Sequence, residues 1–171
     1  LVRFIVITFF LLISTHTFAE QKIVVLDLKF VLNNSKAGKD AQDFLKKSYS
    51  DNVKKFIDME NALKKDESDL LTKKTVLSKE EYTKKTDALR KKVIDYQSQR
   101  RSALDKIAVQ RSESKETLLK KIEPILNTYI NENKISLVVD KKYILAGSNA
   151  NDITNVVIEK LDKELPSLNL K

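Results

Sequence analysis

The chain of 171 residues has no Cys and no Trp, one His, two Gly, two Pro and one Met. Without Cys there is no disulfide and no thiolate nucleophile, and His16 alone cannot build a zinc site. Two Gly and two Pro leave few places for the backbone to break, and Gly38 and Pro124 enclose 85 residues free of both. A segment of that length without breakers must be mostly helix. Long apolar runs are also scarce. The run "FIVITFFLLI", Phe4 to Ile13, lies behind Arg3 and is followed by "STHTFA". That run is about half the roughly 20 residues that a membrane span needs. With Thr17 and Ala19 before a small-residue cut it reads as a secretory signal peptide, residues 1–19, cleaved after Ala19. Its removal takes away Arg3 and His16 and leaves a net charge of +7 (8 minus 1) and no His at all. Export places the chain where small domains often rely on disulfides, and this one must fold without them.

What is present is charge, 33% of the residues, with a formal net charge of +8. Such a composition fits a disordered polyelectrolyte unless periodicity says otherwise. Here Tyr49, Phe56, Leu63, Leu70 and Leu77 recur every seven residues, and so do Tyr82, Leu89, Tyr96 and Ala103. Between the two rows, Ser78 followed by Glu81 has the spacing of a capping box that opens a new helix. The chain is therefore expected to reverse near 75–78. An antiparallel pairing with residue numbers summing to 152 sets Leu70 beside Tyr82, Leu63 beside Leu89, Met59 beside Val93, Phe56 beside Tyr96 and Leu45 beside Ile107. One continuous helix gives no reason for that mirror symmetry. The second heptad row of the first limb, Asn52, Met59, Asp66 and Lys73, is largely polar, so the seam is thin and the arm should bend. Arg100 falls on the apolar stripe opposite Asn52. Pro124 either kinks the second limb or ends its regular part.

The rest is short. "KIVVLD" and "SLVVD" read as strands buried on both faces, "YILA" as a third strand. Asn151 or Asp152 then caps an amphipathic helix carrying Ile153, Val156, Val157 and Leu161, closed before Pro166. The expected organisation is α+β: residues 20–36 form the first part of a β body, 37–133 a helical-hairpin arm, and 134–171 the second part of the body with its final helix. About 55 body residues are marginal for a single core without disulfide or metal, so strands from several chains are expected to share one.

Enzyme motifs fail on their companions. "SKAGK", Ser35 to Lys39, lacks the second Gly of a phosphate loop and has Asp40 where Ser or Thr is needed. Ser112 and Lys115 have Ser-x-x-Lys spacing without the partner motifs of penicillin-binding enzymes. Acids near the turn (Asp66, Glu67, Asp69, Glu80 and Glu81) do not alternate as in a calcium loop and read as solubilising or helix-start charges. No catalytic residue, metal site or cofactor is expected. Between Lys39 and Glu123 the 22 bases and 16 acids leave an excess of six, too mixed for a nucleic-acid stripe. Nucleic acid is thus not an expected partner of an exported chain. A nucleic-acid-binding coiled coil and a structural envelope spacer are the alternative readings.

"KIVVLDLKFVLNNSKAGKDAQ" at the entrance to the arm and "ISLVVDKKYILAGSNANDIT" after it resemble the Skp (OmpH) family of periplasmic chaperones, and the layout between them is similar. The resemblance implies a homotrimer whose short strands join into a small body. From it three arms would enclose unfolded outer-membrane β-barrel proteins, without ATP, in the periplasm. On that basis Val24, Leu26, Leu137, Val139 and Ile144 are expected in the trimer body. Phe56, Leu63, Leu70, Tyr82, Leu89 and Tyr96 are expected in the arm seam, and Lys92, Arg100 and Met59 facing clients. An anionic membrane or lipopolysaccharide surface is a further partner that the positive charge would suit.

Overall fold

The structure, a computed structural model, describes residues 21–170; the expected signal peptide, 1–19, lies outside them. Strand β1 (Ile23–Leu26) leads through helix α1 (Leu28–Asn34) into the long helix α2 (Lys36–Thr72). The chain turns back into α3 (Lys79–Glu132), then forms β2 (Leu137–Asp140) and the final helix α4 (Thr154–Glu164), with single 3-10 turns at Lys141–Tyr143 and Asn149–Asn151.

Helix entry is set by small polar side chains. Asp27 accepts the Phe30 N–H at 2.8 Å and starts α1. Ser35 closes α1 by donating its N–H to the Val31 carbonyl and opens α2 by accepting the Gly38 N–H on its hydroxyl at 3.2 Å. It is fully buried while doing both. Gly38 is required by space rather than by backbone angle: a Cβ there would lie 2.1 Å from the Leu32 carbonyl oxygen. The Lys36 N–H, one of the free donors of the first turn of α2, is taken by the Asp162 carboxylate of α4 at 2.7 Å.

At the far end Ser78 and Glu81 form the expected capping box, each side chain accepting the other's backbone N–H at 3.2 Å. The tip therefore lies over residues 73–78. Helix α3 passes through Pro124 without ending; the missing N–H removes one ladder bond. The helix ends eight residues later at Glu132, and just past its cap Lys134 adopts a left-handed φ of 51°. There the Ile135 N–H reaches the Ile130 carbonyl at 3.0 Å and the Lys134 N–H reaches the Asn131 carbonyl at 3.4 Å, the double closure of a Schellman end.

The two strands pair in parallel, from Ile23 with Leu137 to Leu26 with Asp140. One apolar core joins Val24 and Leu26 of β1, Val31 of α1, Leu118, Ile122 and Ile125 of α3, and Val157 and Leu161 of α4. The arm is thus an insertion between two neighbouring strands, and its base is part of the body's core.

Three expectations need correction. "YILA" is not a strand: the Asp140 carboxylate accepts the Lys142 N–H at 3.1 Å and turns the chain as β2 ends, leaving Ile144 half-buried and Leu145 fully exposed. The last helix starts at Thr154 with no side-chain cap. Asp152 is engaged instead in a local turn, accepting the Thr154 N–H at 2.9 Å, and in an ion pair with Lys141 at 2.6 Å. Finally, neither strand is buried on both faces, for Ile23 and Leu137 are exposed and Val25 and Val139 half-buried.

Candidate functional site

Apart from the body, the arm is the feature large enough to engage another molecule, and its geometry follows from how α2 and α3 close on each other. Near the body Leu45 and Ile107 are buried. Further out Phe56 is buried, its ring meeting Tyr96 edge-on at 6.0 Å and 74°, the arrangement that the aromatic quadrupole favours. This pair has the expected register. Between residues 57 and 106 no side chain is buried. The seam residues Met59, Leu63, Leu70, Tyr82, Leu89 and Val93 are all half-buried there. The arm is closed at its root and loosely zipped towards its tip.

Polar contacts occupy the gaps that a regular coiled coil would fill with Leu or Ile. Lys92 meets Asp66 at 2.6 Å across the two limbs, and Lys55 donates to the Gln99 side-chain oxygen at 3.3 Å. Asn52 turns its amide back to the Ser48 carbonyl at 2.8 Å. Arg100 is exposed and lines a groove with Asn52, Phe56 and Tyr96. Glu60 pairs with Lys64 at 2.7 Å; the Lys64 ammonium, with a smaller contribution from Arg100, holds its carboxyl below the usual carboxylate range. At the tip the Ser78 N–H and hydroxyl do the same for Glu81.

Of the residues expected to face clients, Arg100 stands free at the groove, Lys92 is tied to Asp66, and Met59 sits half-buried within the arm. Of those expected in a shared body, Val24 and Leu26 are used inside the core of the single chain, whereas Leu137 points outward, more than half exposed. Ile23, Tyr143 and Leu145 are also exposed apolar residues of the body.

Tyr49 departs from its expected row. It is 53% exposed, because a straight helix drifts by about 20° per heptad against a seven-residue repeat. Leu45, one turn earlier, takes the seam position in its place. Tyr49 instead lines the groove of Phe56 and Arg100 together with Val53, Ile57 and Leu104, all exposed. The i, i+4, i+8 spacing of Tyr49, Val53 and Ile57 was the available signal, masked by the heptad rows beside it.

Among the described residues no group of three or more His, Cys, Asp or Glu could hold a metal ion, and no helix is long and apolar enough to cross a membrane. Ser35, of the apparent phosphate loop, is a helix cap, and Ser112 and Lys115 lie exposed on α3.

The fold is similar to the crystal structure of an OmpH-like protein from Caulobacter crescentus, described as a candidate outer membrane chaperone. The TM-score is 0.81 at 18% identity, covering 92% of this chain and 94% of that one. No curated protein matches the chain. The sequence matches the OmpH family, described as outer membrane protein (OmpH-like), over residues 22–161. That match runs from the first strand through the whole arm to the last helix, and the chain belongs to the OmpH-like family.

Proposed function

We propose that the protein is a periplasmic, ATP-independent holdase that keeps unfolded outer-membrane β-barrel proteins from aggregating. The observation that carries the reading is the arm: a long paired helix, firmly closed at Phe56 and Tyr96, with no buried side chain beyond. Such an arm can bend around a client and offer many weak contacts. Unfolded barrel proteins carry alternating apolar strands that aggregate when unpaired in water, and the arm's excess of six positive charges attracts acidic chains over a Debye length of about 10 Å. The family and the fold of the Caulobacter protein support a chaperone role. The work required is binding without chemical turnover.

Self-association belongs to the same reading. A two-stranded sheet with Ile23 and Leu137 exposed beside Tyr143 and Leu145 has apolar surface and the outer edge of β2 left to cover, the edge of β1 being met by Asp152 and Ile153. A homotrimer would cover them and set three arms around one cavity.

The mature protein is expected to suppress aggregation of an outer-membrane barrel diluted from urea, and Arg100→Glu to slow capture at low salt. Unchanged aggregation at several-fold molar excess would reject the chaperone. A single-chain mass in sedimentation at micromolar concentration would reject the trimer.

A further inference from the structure

Positive charge is not spread evenly along the arm. Residues 46–57 of α2 and the facing 95–106 of α3 hold seven Lys or Arg and three Asp, a surplus of four. The arm as a whole has 22 bases and 16 acids, a surplus of six, so most of it sits on this one section. None of the seven bases makes an ion pair; Lys55 alone is engaged, with Gln99 and over the Phe56 ring. In contrast, Lys92 nearer the tip and Lys120 nearer the body are paired with acids.

The same section carries the apolar row described above. Tyr49, Val53 and Ile57 stand 53%, 39% and 52% exposed along one side of α2, with Leu104 of α3 on the same groove. Other exposed apolar residues of the arm, such as Leu71, Val76 and Ile94, are not part of that groove.

The row has a spacing that an extended segment can follow. Residues four apart on a helix are about 6.0 Å apart along its axis, and alternate residues of a strand about 6.7 Å. Over the two steps from Tyr49 to Ile57 the mismatch accumulates to only about 1.4 Å. An extended segment laid along α2 can therefore set three alternate side chains against Tyr49, Val53 and Ile57 in turn. A collapsed segment cannot keep that match; a helix with apolar residues four apart can, so the choice of an extended segment comes from the alternating strands of the clients proposed above.

We propose that this row is a docking track for an extended segment with apolar residues at alternate positions and acidic residues between or beside them. The apolar residues seat on Tyr49, Val53, Ile57 and Leu104. The acids face the unpaired bases, Arg100 and Lys54 among them. The occupant's charge follows from complementarity with the surplus of four, and its extended form from the alternating strands of the proposed clients, which the row's spacing accommodates. This rests on the chaperone reading and adds where and in what conformation a client strand is first held.

The test uses the mature protein and two blocked, labelled peptides of identical composition. One alternates Val and Leu with Glu and Thr; the other groups its apolar residues in one block. Fluorescence anisotropy should show tighter binding of the alternating peptide, weakened by salt. Each row side chain has about half its apolar surface left to bury, so Val53→Ser with Ile57→Ser should weaken that binding by about tenfold to a hundredfold. The tip control, Leu71→Ser with Val76→Ser, should leave it unchanged. Equal binding of the two peptides by the unaltered protein overturns the track, whatever the variants do. So does a folded Val53→Ser, Ile57→Ser protein that binds the alternating peptide normally. The urea-dilution assay separates the two levels: a protein that suppresses aggregation but fails the peptide test is a chaperone without this track. One that binds the alternating peptide through the row but suppresses nothing keeps the track and loses the chaperone reading.

Discussion

Replacing Gly38 by Ala sets two effects of opposite sign against each other. Gly38 lies in the first turn of α2 with no left-handed backbone angle, so helix propensity alone makes Ala better by about 1 kcal/mol. Space makes it worse. The added Cβ would stand 2.1 Å from the Leu32 carbonyl oxygen and 2.9 Å from the Ser35 hydroxyl. The first is a main-chain atom in the last turn of α1, and it cannot swing aside as a side chain would. Relief requires moving α1 by over an ångström away from α2, and α1 carries Val31, which is fully buried in the body's core. Overpacking costs about 1–3 kcal/mol, and the fixed obstacle puts this case at the upper end. The net is a loss of about 2 kcal/mol after the propensity gain. At about 2–4 °C per kcal/mol for a chain of this size, the melting temperature falls by about 4–8 °C. The assay is thermal unfolding followed by circular dichroism at one fixed protein concentration, since self-association would otherwise shift the midpoint. A melting temperature equal to or above that of the unaltered protein would refute the reasoning, because propensity would then outweigh contact.

Two further perturbations probe the arm. Phe56→Ala should cost about 3 kcal/mol, the low end for such a deletion because one side of the seam is wet. Hydrogen exchange should quicken around 49–56 and 96–104, while amides beyond residue 60 stay as they were, since opening at the tip never had to part the Phe56 and Tyr96 rings. Equal acceleration out to the tip would contradict a loosely zipped outer arm. Ser78→Ala should cost about 1 kcal/mol at the start of α3, read as about fivefold faster exchange in its first turn. The Glu81 carboxyl is held below its ordinary 4.5 by the Ser78 N–H and hydroxyl. Its help is therefore complete above 4.5 and is lost as pH falls through the lower, folded value. Acidification across that window should loosen the tip of the unaltered protein. A Glu81→Gln tip that loosens with acid to the same degree would remove the Glu81 carboxylate as the cause.

The arm was readable from the sequence because its signals are local or periodic. Ser78 and Glu81 mark the tip within three residues of each other, and the Phe56–Tyr96 pairing follows from reflecting one heptad row about that tip. Positions decided by what another element places nearby were not readable. Gly38 looks like a flexible entrance until α1 puts the Leu32 carbonyl against it. Asp152 looks like a cap until Lys141 and the Thr154 N–H claim its two oxygens. "YILA" has the composition of a strand, but a strand needs an edge to pair with, and the turn made by Asp140 carries it off the sheet. The row of Tyr49, Val53 and Ile57 was obscured for a geometric reason, since the seven-residue reading counts Tyr49 as seam and a straight helix rotates it outward.

The parallel pairing of Val24 with Val138 closes a stretch of 114 positions (138 minus 24). Closing a flexible loop of that length rather than one of ten residues adds about 2 kcal/mol of entropy cost, unless something draws the ends together first. The hairpin does so, because once α2 and α3 lie side by side their body ends are neighbours. Order of assembly follows: arm first from local contacts, sheet afterwards. On the proposed export route, which threads the chain through a membrane from its amino end, β1 would arrive early and wait for β2, with Val24 and Leu26 uncovered. During that interval the protein carries the hazard proposed for its clients, an apolar strand without a neighbour.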